Sequence, residues 1–210
     1  MREGTPGNSQ DHREGRRPVI LALGGSTRTQ STSEAALRIA AEGARMAGAD
    51  VHILGGRELM LPIYDPDATE RVPEAVHLIE LARESDGLIV VSPGYHGGLS
   101  GLVKNSLDYF EDLRRHPDGG YLDGRAVGCI AVAHGWQAAV GTLHQLRQVA
   151  HALRGWPTPF GAVINSSEVR LDDPETVPAS VEQLHLVGRQ VVEFAHMRMT
   201  YDASRTEGSP

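Results

Sequence analysis

Residues 87–105 read GLIVVSPGYHGGLSGLVKN, and the way this stretch divides decides the fold. GLIVV is a short continuous apolar run, the pattern of a strand buried on both faces. The loop that follows is permissive: five of the fourteen residues from Ser92 to Asn105 are glycine or proline, yet Tyr95 and His96 stand among them. From Gly101 onward, Leu102, Val103, Leu107 and Phe110 recur at helical spacing and give an apolar face suited to the core or to a second subunit. Strand, glycine-rich loop and helix in that order form one βα unit.

The unit repeats on either side. PVILALGG, from Pro18, is a buried-strand run that ends in glycines, and SEAALRIAAEGARMA, from Ser33, is an Ala-rich helix that Gly48 can close. ADVHIL is the next strand, and PEAVHLIELARES is an amphipathic helix with Pro73 in its first turn. After the opening unit come the strand RAVGCIAVA and the helix AAVGTLHQLRQVAHAL. WPTPFGAVIN then holds a last short strand, and PASVEQLHLVGRQVVEFAHM the last helix. Five strands alternating with five helices predict an α/β fold. Its leading form is a flavodoxin-like, doubly wound, five-stranded parallel sheet of order 2-1-3-4-5 with helices on both faces. Such sheets bind ligands beyond the carboxyl ends of their strands, where strand order reverses, so the loops after strands 1, 3 and 4 come together. Residues 18–200 are expected to form a single domain. Residues 1–17 read as a flexible arm and 201–210 as a flexible tail.

Composition narrows the function. Forty per cent of residues are apolar and the net charge is −7, which suits an ordinary globular protein and argues against nucleic acid as the main partner. No apolar stretch is long enough for a membrane helix. The start, MREGTPGNSQDHREGRR, lacks the apolar segment of a secretory signal, so the expected location is cytoplasmic. Cys129 is the single cysteine, which rules out an intramolecular disulfide, a thiolate zinc site and a four-cysteine cluster. No metal site is expected. Lys104 is the only lysine among twenty basic residues, and it falls inside the opening stretch.

The three loops carry the candidate chemistry. GGSTRTQSTS, residues 24–33, joins strand 1 to helix 1, where free amides and the helix dipole attract an anion. Ser26, Ser31, Thr32 and Ser33 add hydroxyls, and Arg28 adds a fork suited to phosphate; the same hydroxyls could also simply cap the helix. The pattern is neither Walker nor GxGxxG. In the second loop, glycines allow backbone to approach a flat ligand, Pro93 stiffens the exit from the strand, and Tyr95 and His96 offer ring contacts and hydrogen bonds. The third loop, AHGWQAA, contributes Gly135 as another close approach and Trp136 as a ligand or interface contact. His77, His144, His151 and His185, on predicted helices, read as surface or boundary residues.

These residues together resemble a known family. GGSTRTQS is similar to the G-S-x-R-x-x-S phosphate loop of the NADPH-dependent FMN reductases, whose relatives include azoreductases, chromate reductases and quinone reductases. SPGYHGGLSGLVKNSLDYF resembles that family's second signature, running from strand 3 into a helix, and LPIYDPD, at 61–67, resembles the segment it places after strand 2. The resemblance covers roughly residues 18–200. It implies noncovalent FMN, with Ser26, Arg28, Ser31, Ser33 and also Thr32 at its phosphate. Pro93, Gly94, Tyr95, His96 and Gly97 would line the isoalloxazine, and His134 and Gly135 would approach it from the third loop. Many relatives carry Glu or Asn at the positions of Gly94 and His96, and a Ser- and Gly-rich third loop where this chain has His134 and Trp136.

The function that follows is an FMN-dependent oxidoreductase. Hydride passes from NADPH or NADH to the flavin and on to free FMN, a quinone, an azo compound or a similar small acceptor. No side chain is assigned as catalytic, because the chemistry lies in the cofactor. Arg57, Arg114 and Arg115 are candidate contacts for the NADPH phosphate. The implied partners are a small-molecule acceptor, a flavin-dependent monooxygenase, and further copies of the chain in a homodimer or homotetramer built on the helix from Gly101 to Leu113. The alternatives are a flavodoxin-type electron carrier, a tailoring flavoprotein without free-flavin reductase activity, and a flavin-free scaffold.

Overall fold

The structure is a computed structural model that describes residues 16–28, 30–115, 120–171, 173 and 178–207. Strand β1 (Val19–Gly24) leads into helix α1 (Thr32–Met46), and β2 (Asp50–Gly55) precedes α2 (Pro73–Glu84). Strand β3 (Gly87–Tyr95) turns back into the two-residue strand β4 (Gly98–Leu99) before α3 (Gly101–Asp108). The chain continues through β5 (Ala126–Ala133), α4 (Trp136–Ala152), β6 (Trp156–Pro157), β7 (Ala162–Asn165) and the long α5 (Pro178–Glu207).

The core of the sheet is parallel in the order β2-β1-β3-β5, with β6 and β7 both paired to β5. The doubly wound α/β reading therefore holds, while the strand count rises from the expected five to seven. One extra strand arises because the fifth position is broken. Val127 to Ile130 advances three residues along β5 (130 − 127), while their partners Pro157 and Ala162 are five apart (162 − 157). Two surplus residues thus loop out beside Pro157 and Pro159, neither of which can donate to a ladder. The other extra strand is β4, which pairs antiparallel with the end of β3.

Strand alternation divides the core into two layers. Leu21 and Leu23 of β1 pack with Ala75 and Leu78 of α2, Val103 and Leu107 of α3, and Leu143 and Leu146 of α4. Ile20 and Ala22 face the other way, toward Leu37 and Ala41 of α1 and Leu184 and Val191 of α5. The apolar face of α3 belongs to the core, since Val103, Leu107 and Phe110 are all buried. The expected helix from Gly101 to Leu113 stops at Asp108 and tightens into a 3-10 turn over Tyr109–Arg115. His77, His144 and His151 are exposed and His185 half-buried, as expected of surface and boundary residues.

Most of the expected arm, residues 1–15, lies outside the described residues. Arg16 forms a paired contact with Asp86 at 2.7 and 2.6 Å, and Asp86 also accepts the Val19 amide at 2.8 Å. At the other end α5 takes in residues 201–207 of the expected tail, and residues 208–210 are outside the described set. No helix among the described residues is long and apolar enough to cross a membrane.

Candidate functional site

The first loop is organised by the start of α1. Ser31 has extended backbone (φ −81°, ψ 129°), and its Oγ accepts the Glu34 amide at 3.4 Å, the geometry of an N-cap. Ser33 is buried with its Oγ 2.7 Å from Ser31 Oγ, so it steadies the cap from behind. Ser26 Oγ accepts the Arg28 amide at 3.2 Å and turns the loop toward the helix, leaving Arg28 exposed. The amides of Thr32 and Ser33 have no helix carbonyl within reach, and the helix dipole adds its positive end to theirs. Hydroxyls and first-turn amides lie at one helix N-terminus, with the exposed Arg28 three residues before its cap, a donor set that suits a phosphate monoester.

Glu34 is a residue the sequence reading missed. Its carboxylate fills a niche walled by Gly25, Gly55 and Gly56, where a Cβ at Gly55 would come within 2.7 Å of Oε1. Arg38 Nη2 donates to the same oxygen at 2.9 Å. The side chain thereby ties the first loop to the turn after β2. Its position three residues beyond Ser31 matches the spacing of a capping box, which was the available signal.

The second loop is a hairpin rather than an open connection. Strand β3 continues past Val91, with Ser92 and Pro93 paired to Ala131 and Val132 of β5, and then Tyr95 pairs with Gly98. His96 (φ 53°) and Gly97 (φ 81°) form the two-residue turn between them. Positive φ at both central positions is the signature of a type I′ turn. Helix α4 carries this hairpin: Gln145 Nε2 donates to Gly97 O at 2.9 Å, while Gln145 Oε1 accepts the Leu99 amide at 3.3 Å. Gly94 lies so close to the same helix and to the end of β5 that a Cβ there would sit 2.5 Å from Thr142 Oγ1 and 3.0 Å from Ala133 Cβ. Gln145 and Thr142 also escaped the sequence reading, because nothing in a helical heptad marks which residue meets a loop 46 to 48 positions away.

The third loop leaves β5 at Ala133, with His134 exposed and Gly135 at φ 110°. Asn165, 2% exposed at the end of β7, accepts the Gly135 amide at 2.8 Å and the Ser167 hydroxyl at 2.7 Å. Its Nδ2 donates to Glu168 Oε1 at 2.7 Å, and Trp136 Nε1 donates to the same oxygen at 2.9 Å. Trp136 is therefore half-exposed yet held, at the mouth of the loop cluster rather than in the core.

The segment after β2 is fixed by a side chain from α3. Asn105 Oδ1 accepts the Tyr64 amide at 2.9 Å, and Nδ2 donates to Pro62 O at 2.8 Å. Arg71 grips Asp112 through Nε at 2.8 Å and Nη2 at 3.0 Å, and its guanidinium lies 4.8 Å from the Tyr64 ring centroid. This guanidinium holds the Asp112 carboxyl below its ordinary range. Between these anchors Ile63 is 83% exposed, with Met60 exposed nearby.

Among the remaining candidates, Arg57 is exposed directly after Gly56, whose backbone closely approaches Ser26 O, so it stands beside the first loop. Arg114 is occupied by Glu111 at 3.3 Å, and the side chain of Arg115 lies outside the described residues. Lys104 pairs with Asp108 at 2.6 Å one helical turn away, an exposed contact that explains the lone lysine without a ligand. Cys129 is buried in β5, and burial pushes its thiol up to about 12.

A flat ring with a phosphate tail fits this surface. A Cβ built at Gly97 or Gly135 would meet no atom within 4 Å, so both turns present open backbone at the carboxyl edge of the sheet, as the phosphate-type donor set at α1 does. Fold and site together define a flavodoxin-like α/β protein with a phosphate-type helix N-terminus. The chain belongs to the NADPH-dependent FMN reductase family, whose description matches residues 18–169. It is 31% identical over 87 residues to an NADPH azoreductase of Bacillus sp., covering 41% of this chain and 45% of that protein. It is 29% identical over 123 residues to a quinone reductase of Escherichia coli, covering 55% of this chain and 61% of that protein. The matches thus span only about half the length of these curated relatives. The solved structure of a WrbA-like flavodoxin from Agrobacterium tumefaciens shares the fold, with a TM-score of 0.61 at 17% identity over 86% of this chain and 99% of that one.

Proposed function

We propose that this protein is an FMN-dependent NADPH oxidoreductase that reduces a small flat acceptor such as a quinone or an azo compound, within a single domain over residues 18–200. One observation carries the reading: a phosphate-type helix N-terminus and two turns with open backbone share the carboxyl edge of one sheet. In this reading Ser26, Arg28, Ser31 and Thr32 hold the phosphate, with Ser33 behind them. Pro93, Gly94, Tyr95, His96 and Gly97 line the ring from one side, and His134 and Gly135 from the other. Bound FMN supplies the hydride-accepting centre and the two-electron chemistry. The protein's own work is to orient the ring, to set polar backbone at its edge, and to leave one face open to the dinucleotide and the acceptor in turn. Tyr95, 53% exposed, is available to cover that face.

The finer assignments follow from chemistry. Arg57 is the better placed of the candidate arginines for the dinucleotide phosphate, because it stands beside the first loop and no described acidic side chain pairs with it. A reductant drawn from the intracellular pool places the activity in the cytoplasm. Exposed Ile63 and Met60, on a segment pinned by Asn105 and Arg71, support a homodimer or homotetramer, since rigid exposed aliphatic side chains favour association. Free FMN as acceptor would make a flavin-dependent monooxygenase a functional partner.

Purified protein mixed with FMN should retain it through desalting, and Arg28→Ala should weaken FMN binding by roughly tenfold or more, the value of one charge-assisted hydrogen bond. Unchanged affinity in that variant would remove Arg28 from the phosphate site. NADPH oxidation measured with quinone, azo and free FMN acceptors separates the reductase from an electron carrier, which would oxidise no NADPH with any of them.

A further inference from the structure

The hairpin at the proposed ring site carries strain that its own sequence does not relieve. A type I′ turn asks for φ > 0 at both central residues, and asparagine–glycine meets that demand best. Here the first position is His96 at φ 53°, a side chain that tolerates the left-handed region at some cost. The hairpin is also minimal: only Gly94–Leu99 and Tyr95–Gly98 are paired. So short a ladder does not hold a turn on its own.

What holds it is α4. The single carboxamide of Gln145 engages the returning side of the turn twice, donating to Gly97 O at 2.9 Å and accepting from Leu99 N at 3.3 Å. Thr142 lies against Gly94 and Gly98 on the same helix face, and Gly141 approaches Gly97 O. No carboxylate or aliphatic side chain can both donate and accept at that position. Because trans peptides are planar, these two bonds fix the Gly97–Gly98 and Gly98–Leu99 peptide planes, on which the two central residues of the turn hinge. A turn of this type pairs the residues that flank it and leaves the two central amides, those of His96 and Gly97, outside the ladder. Those amides are the polar groups at the tip, where the backbone is open.

Resting on the flavin reading above, we propose that Gln145 is a positioning residue whose carboxamide aims the His96–Gly97 turn at the edge of the bound ring. Preorganised amide dipoles favour the negative charge that a reduced flavin carries, and a released turn would have to reorganise at each reduction. Gln145 therefore acts on how readily the ring is reduced, and not on how tightly the phosphate is held.

The test uses FMN-loaded protein, comparing wild type with Gln145→Leu and Gln145→Glu. For Gln145→Leu the expected result is FMN affinity and KM for NADPH within about threefold of wild type, a flavin midpoint potential shifted to more negative values, and kcat lowered about tenfold. In Gln145→Glu an ionised carboxylate faces the Gly97 carbonyl, so the same shift is expected at neutral pH. It should recover as the pH falls toward the ordinary glutamate range, about 4.3, where the protonated acid donates again. That recovery distinguishes aiming from a structural role for the residue, and Gln145→Glu, the closer in shape, decides the matter if the leucine variant does not fold. Wild-type potential and kcat in both variants would overturn the proposal, as would a Glu variant whose defect does not respond to pH. A wild-type protein that takes up no FMN would instead overturn the flavin reading itself, a result visible before any variant is made.

Discussion

A Cβ at position 94 would press on both Thr142 and Ala133, so the small residue there is required by the approach of α4. The sequence alone presented Gly94 as a departure from the Glu or Asn of many relatives, with no reason attached. The reason is a contact between residues 48 positions apart, which no local pattern records. Gly94→Ala should destabilise the protein by about 1–3 kcal/mol, the usual cost of overpacking. Pairing it with Thr142→Ala should return part of that loss, because the two positions share the crowded space. Thermal denaturation of the two single variants and the double variant measures the coupling, and strictly additive effects would contradict it. Ser31 shows the opposite case: its capping role was legible, because a cap and its helix are neighbours in sequence.

Among the elements, strands and helices were read well because their apolar periods are local, and all five helices appear near their expected places. Two elements were not legible. The fifth strand breaks because of how Pro157 and Pro159 meet β5, and β4 exists only because a tight turn folds β3 back on itself. The loop segment 61–71 shows how an irregular piece acquires rigidity from tertiary contacts, here Asn105 and the Arg71–Asp112 pair. Because the Asp112 carboxyl is lowered from its ordinary 3.8, mainly by the hydrogen bond from Arg71, its pairing stabilises the fold at pH values above that figure. The contribution fades as pH falls through the lowered value. Asp112→Asn should therefore lower Tm by a gap that stays constant from about pH 7 to about pH 5 and narrows below 3.8. A gap that grows with acidity would contradict the assignment.

At the scale of the whole molecule, two core layers flank a sheet whose central strands are buried on both faces, and Cys129 lies in one of them. Its thiol, pushed up to about 12 by burial, should react with alkylating reagents at pH 8 only when the sheet opens. Labelling rates followed across a denaturant series should track the unfolding free energy, and fast labelling of the native protein would show that β5 is less well protected than its burial indicates. This single sulfur is also the only one the chain could lend to a covalent link. With it sealed inside, copies of the protein cannot be cross-linked through disulfides while folded. Any assembly of folded copies must therefore be held by contacts other than disulfides.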